Sequence, residues 1–188
     1  NVRFMLVEVV KNGKRLCQIL EAPGEYYFNP NDPNAPFPSY VNTIIACGNR
    51  KLWAIMVEPD WKNTEDRIAY VGKINELSRQ MDVRDKTLFI FNKIDKTNFT
   101  RKKGQINIPQ ARAEISNLYP GIFAMFKNQN PITSLWKDYL CGFVPFQTGT
   151  YTITTKTDSN GNVISNYQEG PDNYPQMLWD EIQKSITG

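Results

Sequence analysis

Along this chain, continuous apolar runs alternate with segments in which apolar residues recur at helical spacing, and this order predicts a mixed α/β fold. Continuous apolar runs at 52–57 and 87–91 predict strands that are buried on both faces, and a shorter run at 143–146 predicts a third strand. Within that third strand, Pro145 favours an edge or terminal position. Helices are predicted over residues 39–48, 64–81, 109–118, 132–139 and 174–186.

Two further segments have the pattern of β-hairpins. The first begins with a strand at 2–10 and turns at Asn12-Gly13, the dipeptide that most strongly signals a short hairpin. The second spans residues 150–168. A Pro- and Asn-rich loop at 26–38 follows the first hairpin, and loops of such length inside a compact domain are uncommon and are usually functional or mobile.

Strands alternating with helices predict a three-layer α/β sandwich in a single domain that covers residues 1–188. Its sheet is expected to be mostly parallel, with helices on both faces and one antiparallel edge strand from the opening hairpin. Ligands of such sheets bind beyond the carboxyl ends of the strands. We therefore expect functional side chains in the loops that follow strands.

Composition narrows the chemistry that these loops can perform. The chain has no histidine, and its three cysteines, Cys17, Cys47 and Cys141, form no C-x-x-C pair. A zinc site and a Ser-His or Cys-His catalytic arrangement are therefore not expected. Scattered free thiols predict a cytoplasmic protein. The net charge of +3 gives no reason to expect a nucleic-acid partner, and no apolar run is long enough to span a bilayer.

One tetrapeptide, Asn92-Lys93-Ile94-Asp95, directly follows the second buried strand. A carboxylate fixed at Asp95 could accept two hydrogen bonds from guanine, whose N1–H and exocyclic N2 amino group lie side by side. Adenine offers neither donor there and would leave the carboxylate unpaired. The pattern therefore predicts guanine recognition, although a polar strand-end turn also explains four such residues.

The tetrapeptide resembles the N-K-x-D motif of Ras-like and translation-factor P-loop GTPases. In that resemblance the stem of Lys93 covers one face of the base, and Asn92 ties the loop together. GTP or GDP with Mg²⁺ would be the ligands, and the complete domain would be a GTP hydrolase. The resemblance extends over nearly the whole chain in the order of its elements, with the hairpin at 150–168 as the main departure.

Two other loops match the family's pattern less closely. Glu21-Ala22-Pro23-Gly24 resembles D-x-x-G, in which the acidic residue contacts Mg²⁺ through water and the glycine amide senses the γ-phosphate. Glutamate in place of aspartate puts the metal contact in doubt. Glu25 would stand where the family orients the attacking water. The loop Gln147-Thr148-Gly149 would support the base. Ordinary strand-end turns also account for both segments.

The glycine-rich phosphate loop of the family, G-x-x-x-x-G-K-[ST], does not occur in this sequence. We expect the first strand, that loop and the first helix to lie upstream, so that this chain binds GTP poorly and does not hydrolyse it. An alternative is a degenerate pseudo-GTPase that serves as an interaction or scaffold module. Under either interpretation, the aromatic-rich loop at 26–40 could be a protein-binding surface or could pack over the sheet. The sheet edges left unpaired by a missing first strand could be filled by a homodimer.

Overall fold

The structure of the chain is a computed structural model, which describes residues 5–21, 32, 34–60, 63–97, 100–102 and 105–187. The chain forms two compact units. The first unit comprises Asn1–Lys51 and Lys62–Asp85, and the second comprises Leu52–Trp61 and Lys86–Gly188. Both contain helices and strands, which confirms a mixed α/β structure. The single domain expected from the sequence stays a prediction.

The first unit contains the opening hairpin and two helices. Strands β1 (Met5–Lys11) and β2 (Lys14–Glu21) pair antiparallel, and the turn residues Asn12 and Gly13 have φ of 52° and 72°. Both values are positive, as a tight two-residue hairpin turn requires. Helices α1 (Ser39–Ala46) and α2 (Thr64–Gln80) are the other regular elements among its described residues.

The predicted antiparallel edge strand is not observed. In the described part of the chain, β1 and β2 hydrogen-bond with each other and form a two-stranded sheet of their own. Helix α2 begins where the sequence predicts, because the Asn63 side chain accepts a hydrogen bond of 2.9 Å from the Asp66 N–H.

The second unit is built on a parallel sheet of three strands in the order β3-β4-β7, together with two small hairpins and two helices. Its elements in chain order are β3 (Leu52–Val57), β4 (Lys86–Phe91), β5 (Thr100–Lys102), β6 (Gln105–Ile106), α3 (Ile108–Leu118), β7 (Gly142–Pro145), β8 (Gly149–Thr157), β9 (Val163–Glu169) and α4 (Asn173–Thr187).

Both faces of the parallel sheet are covered within the second unit. On one face, α4 packs against a buried cluster that contains Leu88, Ile90 and Val144. On the other face, the Phe89 ring makes edge-on contacts with the rings of Phe123 and Phe126, at centroid distances of 4.9 and 5.3 Å. Strand β4, which alternates between the two faces, is consequently buried along nearly its whole length, as the sequence predicts.

Strand β3 is buried on one face only, contrary to the prediction. Ile55 and Val57 are buried, but Ala54 is exposed and the Met56 side chain is 50% exposed. Among the described residues, β3 and β7 are the two edge strands of this sheet, and one face of β3 is covered less completely than the same face of the central strand β4. Pro145 is the last residue of the edge strand β7, which confirms its predicted position.

The helix predicted over 132–139 does not form. This segment has only one 3₁₀ turn, Thr133–Leu135, and Trp136 is 71% exposed. The Asn130 side chain accepts hydrogen bonds from the N–H groups of Ile132 and Thr133. Side-chain acceptors of this kind compete with helical backbone bonding, so the turn is not propagated.

The predicted hairpin at 150–168 is present as β8 and β9, which pair antiparallel. It turns at Gly161, whose φ is 82°, and the Asp158 side chain accepts hydrogen bonds from the N–H groups of Asn160 and Asn162. Every residue of β9 is exposed. The hairpin therefore contributes little to the core of the second unit.

Candidate functional site

The three strands of the parallel sheet end in register. Val57 pairs with Phe91, and Phe91 pairs with Pro145, so the loops that follow β3, β4 and β7 start at one edge. Two backbone hydrogen bonds continue the sheet beyond this line: Asn92 N–H donates to the Val57 carbonyl at 2.9 Å, and Phe146 N–H donates to the Phe91 carbonyl at 2.7 Å. The sheet thus brings the loop at 92–95 next to the loop at 146–149.

The first two residues of the tetrapeptide are held by Glu58, which directly follows β3. Asn92 Nδ2 donates to Glu58 Oε1 at 2.9 Å, and Lys93 Nζ lies 2.6 Å from Glu58 Oε2. Each oxygen of this carboxylate therefore has one partner from the tetrapeptide. The hydrogen bond to Glu58 raises the pKa of the Lys93 ammonium.

A second carboxylate, Asp60, contacts two lysines of the same loop. Lys93 Nζ lies 3.4 Å from Asp60 Oδ1, and Lys96 Nζ forms an ion pair with Asp60 Oδ2. The hydrogen bond from Lys96 holds the pKa of the Asp60 carboxyl below its ordinary value. Two carboxylates and two ammonium groups thus alternate across the ends of β3 and β4.

The backbone of Lys93 has an unusual conformation. Among the described residues, only Asn12 and Lys93 combine a side chain with a positive φ, which is 55° for Lys93. Lysine rarely adopts this left-handed conformation, because its Cβ crowds the following carbonyl. Residues held in this way are concentrated at functional sites.

Asp95, the residue expected to read the base, lies in the 3₁₀ turn Ile94–Lys96 and is exposed. Its Oδ2 accepts a hydrogen bond of 3.3 Å from the hydroxyl of Thr150. Ile94 anchors the turn, because its side chain is fully buried and its N–H donates to the Phe146 carbonyl at 3.3 Å. The Asp95 carboxylate is therefore presented to solvent on an anchored turn.

The loop Gln147-Thr148-Gly149 is held by the base of the β8–β9 hairpin. The Thr148 carbonyl accepts hydrogen bonds from Gly170 N–H at 2.9 Å and from the Tyr167 hydroxyl at 2.8 Å. A Cβ at Gly149 would lie 2.4 Å from the backbone oxygen of Gln168, so this close approach requires glycine. The loop is well anchored, and its predicted role in supporting a base stays a prediction.

The D-x-x-G-like segment is only partly described. Glu21 is the last residue of β2 and is exposed, whereas Gly24 and Glu25 lie outside the described residues. Their predicted roles toward Mg²⁺ and water stay predictions. In the part of the chain that the structure covers, no group of three or more acidic or cysteine side chains is placed to hold a metal ion.

The loop at 26–40, predicted as a protein-binding surface, is described only at residue 32 and at 34–40. Phe37 is buried, and the Lys73 ammonium lies 4.9 Å from the centre of its ring. This aromatic residue therefore packs within the first unit. A partner for the rest of the loop stays a prediction.

Sequence reasoning missed Glu58, Asp60 and Thr150. The carboxylates could have been found, because they come directly after a buried strand, where ligand-binding residues of parallel sheets are located. Their pairing with lysines more than thirty positions away depends on the register of β3 and β4 and could not be read from the sequence.

The chain matches no known protein-family model, no curated protein and no solved structure. Among the helices that the structure describes, none has the length and apolar character needed to cross a bilayer. The three cysteines are free thiols, as predicted.

Proposed function

We propose that the edge formed by the ends of β3, β4 and β7 is a guanine-recognition site, and that the chain belongs to a GTP-binding switch protein of the P-loop GTPase type. The observation that carries this proposal is the Asp95 carboxylate. It is exposed at the carboxyl edge of a parallel sheet and, among the described residues, has a hydroxyl as its recorded partner and no cation within ion-pair distance.

This environment suits the amide edge of guanine. An ionised carboxylate offers acceptors to the adjacent N1–H and N2 amino group, and such charge-assisted hydrogen bonds are the stronger class. Thr150 donates to Oδ2 from one side and would orient the carboxylate without neutralising its charge. The neighbouring Lys93 side chain is 39% exposed, so its aliphatic stem is partly accessible to the face of a base.

The test uses nucleosides, because the base alone reports on Asp95 without phosphate contacts. Chemical-shift changes of the 15N-labelled chain are followed during titration with guanosine, inosine and adenosine. We expect guanosine to bind more tightly than inosine, which lacks the N2 amino group, and adenosine to produce no saturating change at Asp95. Loss of one hydrogen bond to a charged group predicts a roughly 10- to 100-fold weaker affinity for inosine.

The variant Asp95→Asn makes the test specific. An asparagine amide accepts from N1–H but donates at the second position, so it suits the C2 carbonyl of xanthine and opposes the N2 amino group of guanine. We expect Asp95→Asn to lose guanosine binding and to gain xanthosine binding. Asp180→Asn, an exposed substitution on α4, is the matched control. Equal binding of adenosine and guanosine by the wild-type chain would refute the assignment.

A second candidate function, a pseudo-GTPase that acts as an interaction module, is favoured by the loop that precedes β7. This loop exposes large apolar side chains, with Leu135 80% and Trp136 71% accessible. Tryptophan is enriched among the residues that anchor protein interfaces, and exposed apolar patches mark interaction surfaces. Saturable guanosine binding that depends on Asp95 would exclude a nucleotide-free module. Failure to bind any purine, with concentration-dependent association lost in Trp136→Ser, would support it.

A further inference from the structure

Lys93 and Lys96 flank Asp95 in sequence, yet neither forms a recorded ion pair with it among the described residues. Oppositely charged neighbours on a short exposed turn attract one another at close range. An Asp95 carboxylate neutralised in this way would have fewer acceptors left for a ligand. Other contacts must therefore hold both ammonium groups away from Asp95.

Glu58 and Asp60, which we call the acidic clamp, supply the alternative partners. Glu58 Oε2 lies 2.6 Å from Lys93 Nζ, Asp60 Oδ1 lies 3.4 Å from the same ammonium, and Asp60 Oδ2 pairs with Lys96. Both lysines are thus drawn toward the loop that follows β3. The Lys93 backbone is held at φ 55° in the same arrangement.

The backbone of Glu58 is held by a buried phenol. Tyr119 is fully buried, and its hydroxyl donates to the Glu58 carbonyl at 2.8 Å and accepts from the Glu58 N–H at 3.3 Å. The Glu58 side chain is only 19% exposed and also accepts from Asn92. Tyr119 therefore fixes the backbone of Glu58, and the hydrogen bond from Asn92 restrains its carboxylate.

We propose that the acidic clamp is a positioning device of the base-recognition loop: it draws Lys93 and Lys96 away from Asp95 and so keeps the Asp95 carboxylate available to the donors of a base. This inference rests on the proposed guanine site. Glu58 and Asp60 act through the two lysines and do not contact the ligand. Removing the clamp should allow the lysines to neutralise Asp95.

The test compares the wild-type chain with the double variant Glu58→Gln/Asp60→Asn. The amide oxygen of the introduced glutamine can still accept from Asn92, so the first substitution mainly removes charge. We expect guanosine affinity to fall about tenfold or more. In the ligand-free protein, NOEs from the ε-methylene protons of Lys93 and Lys96 should appear at the β-protons of Asp95. Glu8→Gln, which removes an exposed ion pair with Arg15 in the first unit, is the control and should change neither measurement.

A rescue variant separates positioning from general structural damage. Adding Lys93→Met and Lys96→Met to the double variant removes the cations that would neutralise Asp95, and methionine keeps an apolar stem over the base. We expect guanosine binding to recover most of its lost affinity. A clamp that acted only by stabilising the fold would not be rescued by removing lysines.

The outcomes distinguish the two proposals. If the wild-type chain binds no guanosine, the proposed function fails, and the ligand-free NOEs still decide whether the clamp directs the lysines. If the wild-type chain binds guanosine and the double variant binds it equally well without new NOEs at Asp95, the clamp is refuted and the guanine site stands. Asp60→Asn alone, at a side chain that is 41% exposed, provides the same comparison should the double variant not fold.

Discussion

The hydroxyl of Tyr119 connects the end of α3 to the backbone at the end of β3, and its removal should have a measurable cost. Tyr119→Phe keeps the fully buried ring and deletes the two hydrogen bonds to Glu58, of 2.8 and 3.3 Å. A net contribution of about 0.5–1.5 kcal/mol per hydrogen bond, with the longer bond at the low end, predicts a loss of about 1–2 kcal/mol. For a chain of this size, that loss lowers the melting temperature by roughly 2–8 °C.

Urea unfolding followed by tryptophan fluorescence measures this difference directly. Tyr139→Phe is the matched control, because the Tyr139 ring packs 5.6 Å from that of Phe123 and its hydroxyl has no hydrogen bond recorded among the described residues. We expect the control to change stability by less than about 0.5 kcal/mol. Equal stabilities of Tyr119→Phe and wild type would show that the phenol does not hold the backbone of Glu58 in place.

Three further substitutions and one thiol reaction test other parts of the fold. Asn63→Ala removes the N-cap of α2 and should destabilise the chain by about 1 kcal/mol in thermal unfolding. Gly149→Ala places a methyl group 2.4 Å from a backbone oxygen and should lower the free energy of unfolding by about 1–3 kcal/mol. Gly72→Ala, at an exposed position within α2, should raise the free energy of unfolding by about 0.5–1 kcal/mol. Burial raises the pKa of the Cys141 thiol to about 11, so at pH 8 its thiolate fraction is roughly 100-fold below that of an ordinary thiol. The exposed Cys47 should therefore react with a disulfide reagent before Cys141 does.

Each of these predictions has a contradicting result. An unchanged melting temperature for Asn63→Ala would mean that the helix is capped in another way. Destabilisation by Gly72→Ala, or tolerance of Gly149→Ala, would contradict the packing around those glycines. Equal rates of modification at Cys47 and Cys141 in the native chain, mapped by mass spectrometry, would contradict the burial of the Cys141 thiol.

The elements with strong local signals could be predicted from the sequence. The hairpin of β1 and β2 is specified by Asn12-Gly13, and α2 by a capping residue followed by apolar residues at helical spacing. The apolar run of β4 predicted a fully buried strand, which the structure confirms. In these cases, local preference and tertiary packing favour the same structure.

Predictions failed where individual side-chain contacts, rather than the apolar pattern, decide the outcome. The segment at 132–139 is predicted as a helix, but Asn128 Nδ2 donates to the Lys137 carbonyl. The Asn130 side chain accepts from two backbone N–H groups, so the backbone is held in turns and Trp136 is left exposed. For the site, the sequence predicted which loops follow the strands of the parallel sheet. It did not predict that Glu58 would engage Lys93, because that contact depends on the register between two strands.

The hairpin of β8 and β9 leaves and rejoins the rest of the second unit at a single point, since Gly149 pairs with Glu169 and Gly170 N–H bonds to the Thr148 carbonyl. Because both ends of the hairpin lie side by side, its length does not change the distance that the rest of the chain must bridge. Lengthening the hairpin therefore adds only a small entropic cost to folding. The turn at 158–162 is therefore a suitable insertion site for a reporter or a fused domain. A domain fused there would not disturb the register of the parallel strands. It would stay connected, through the hairpin, to the loop next to Asp95.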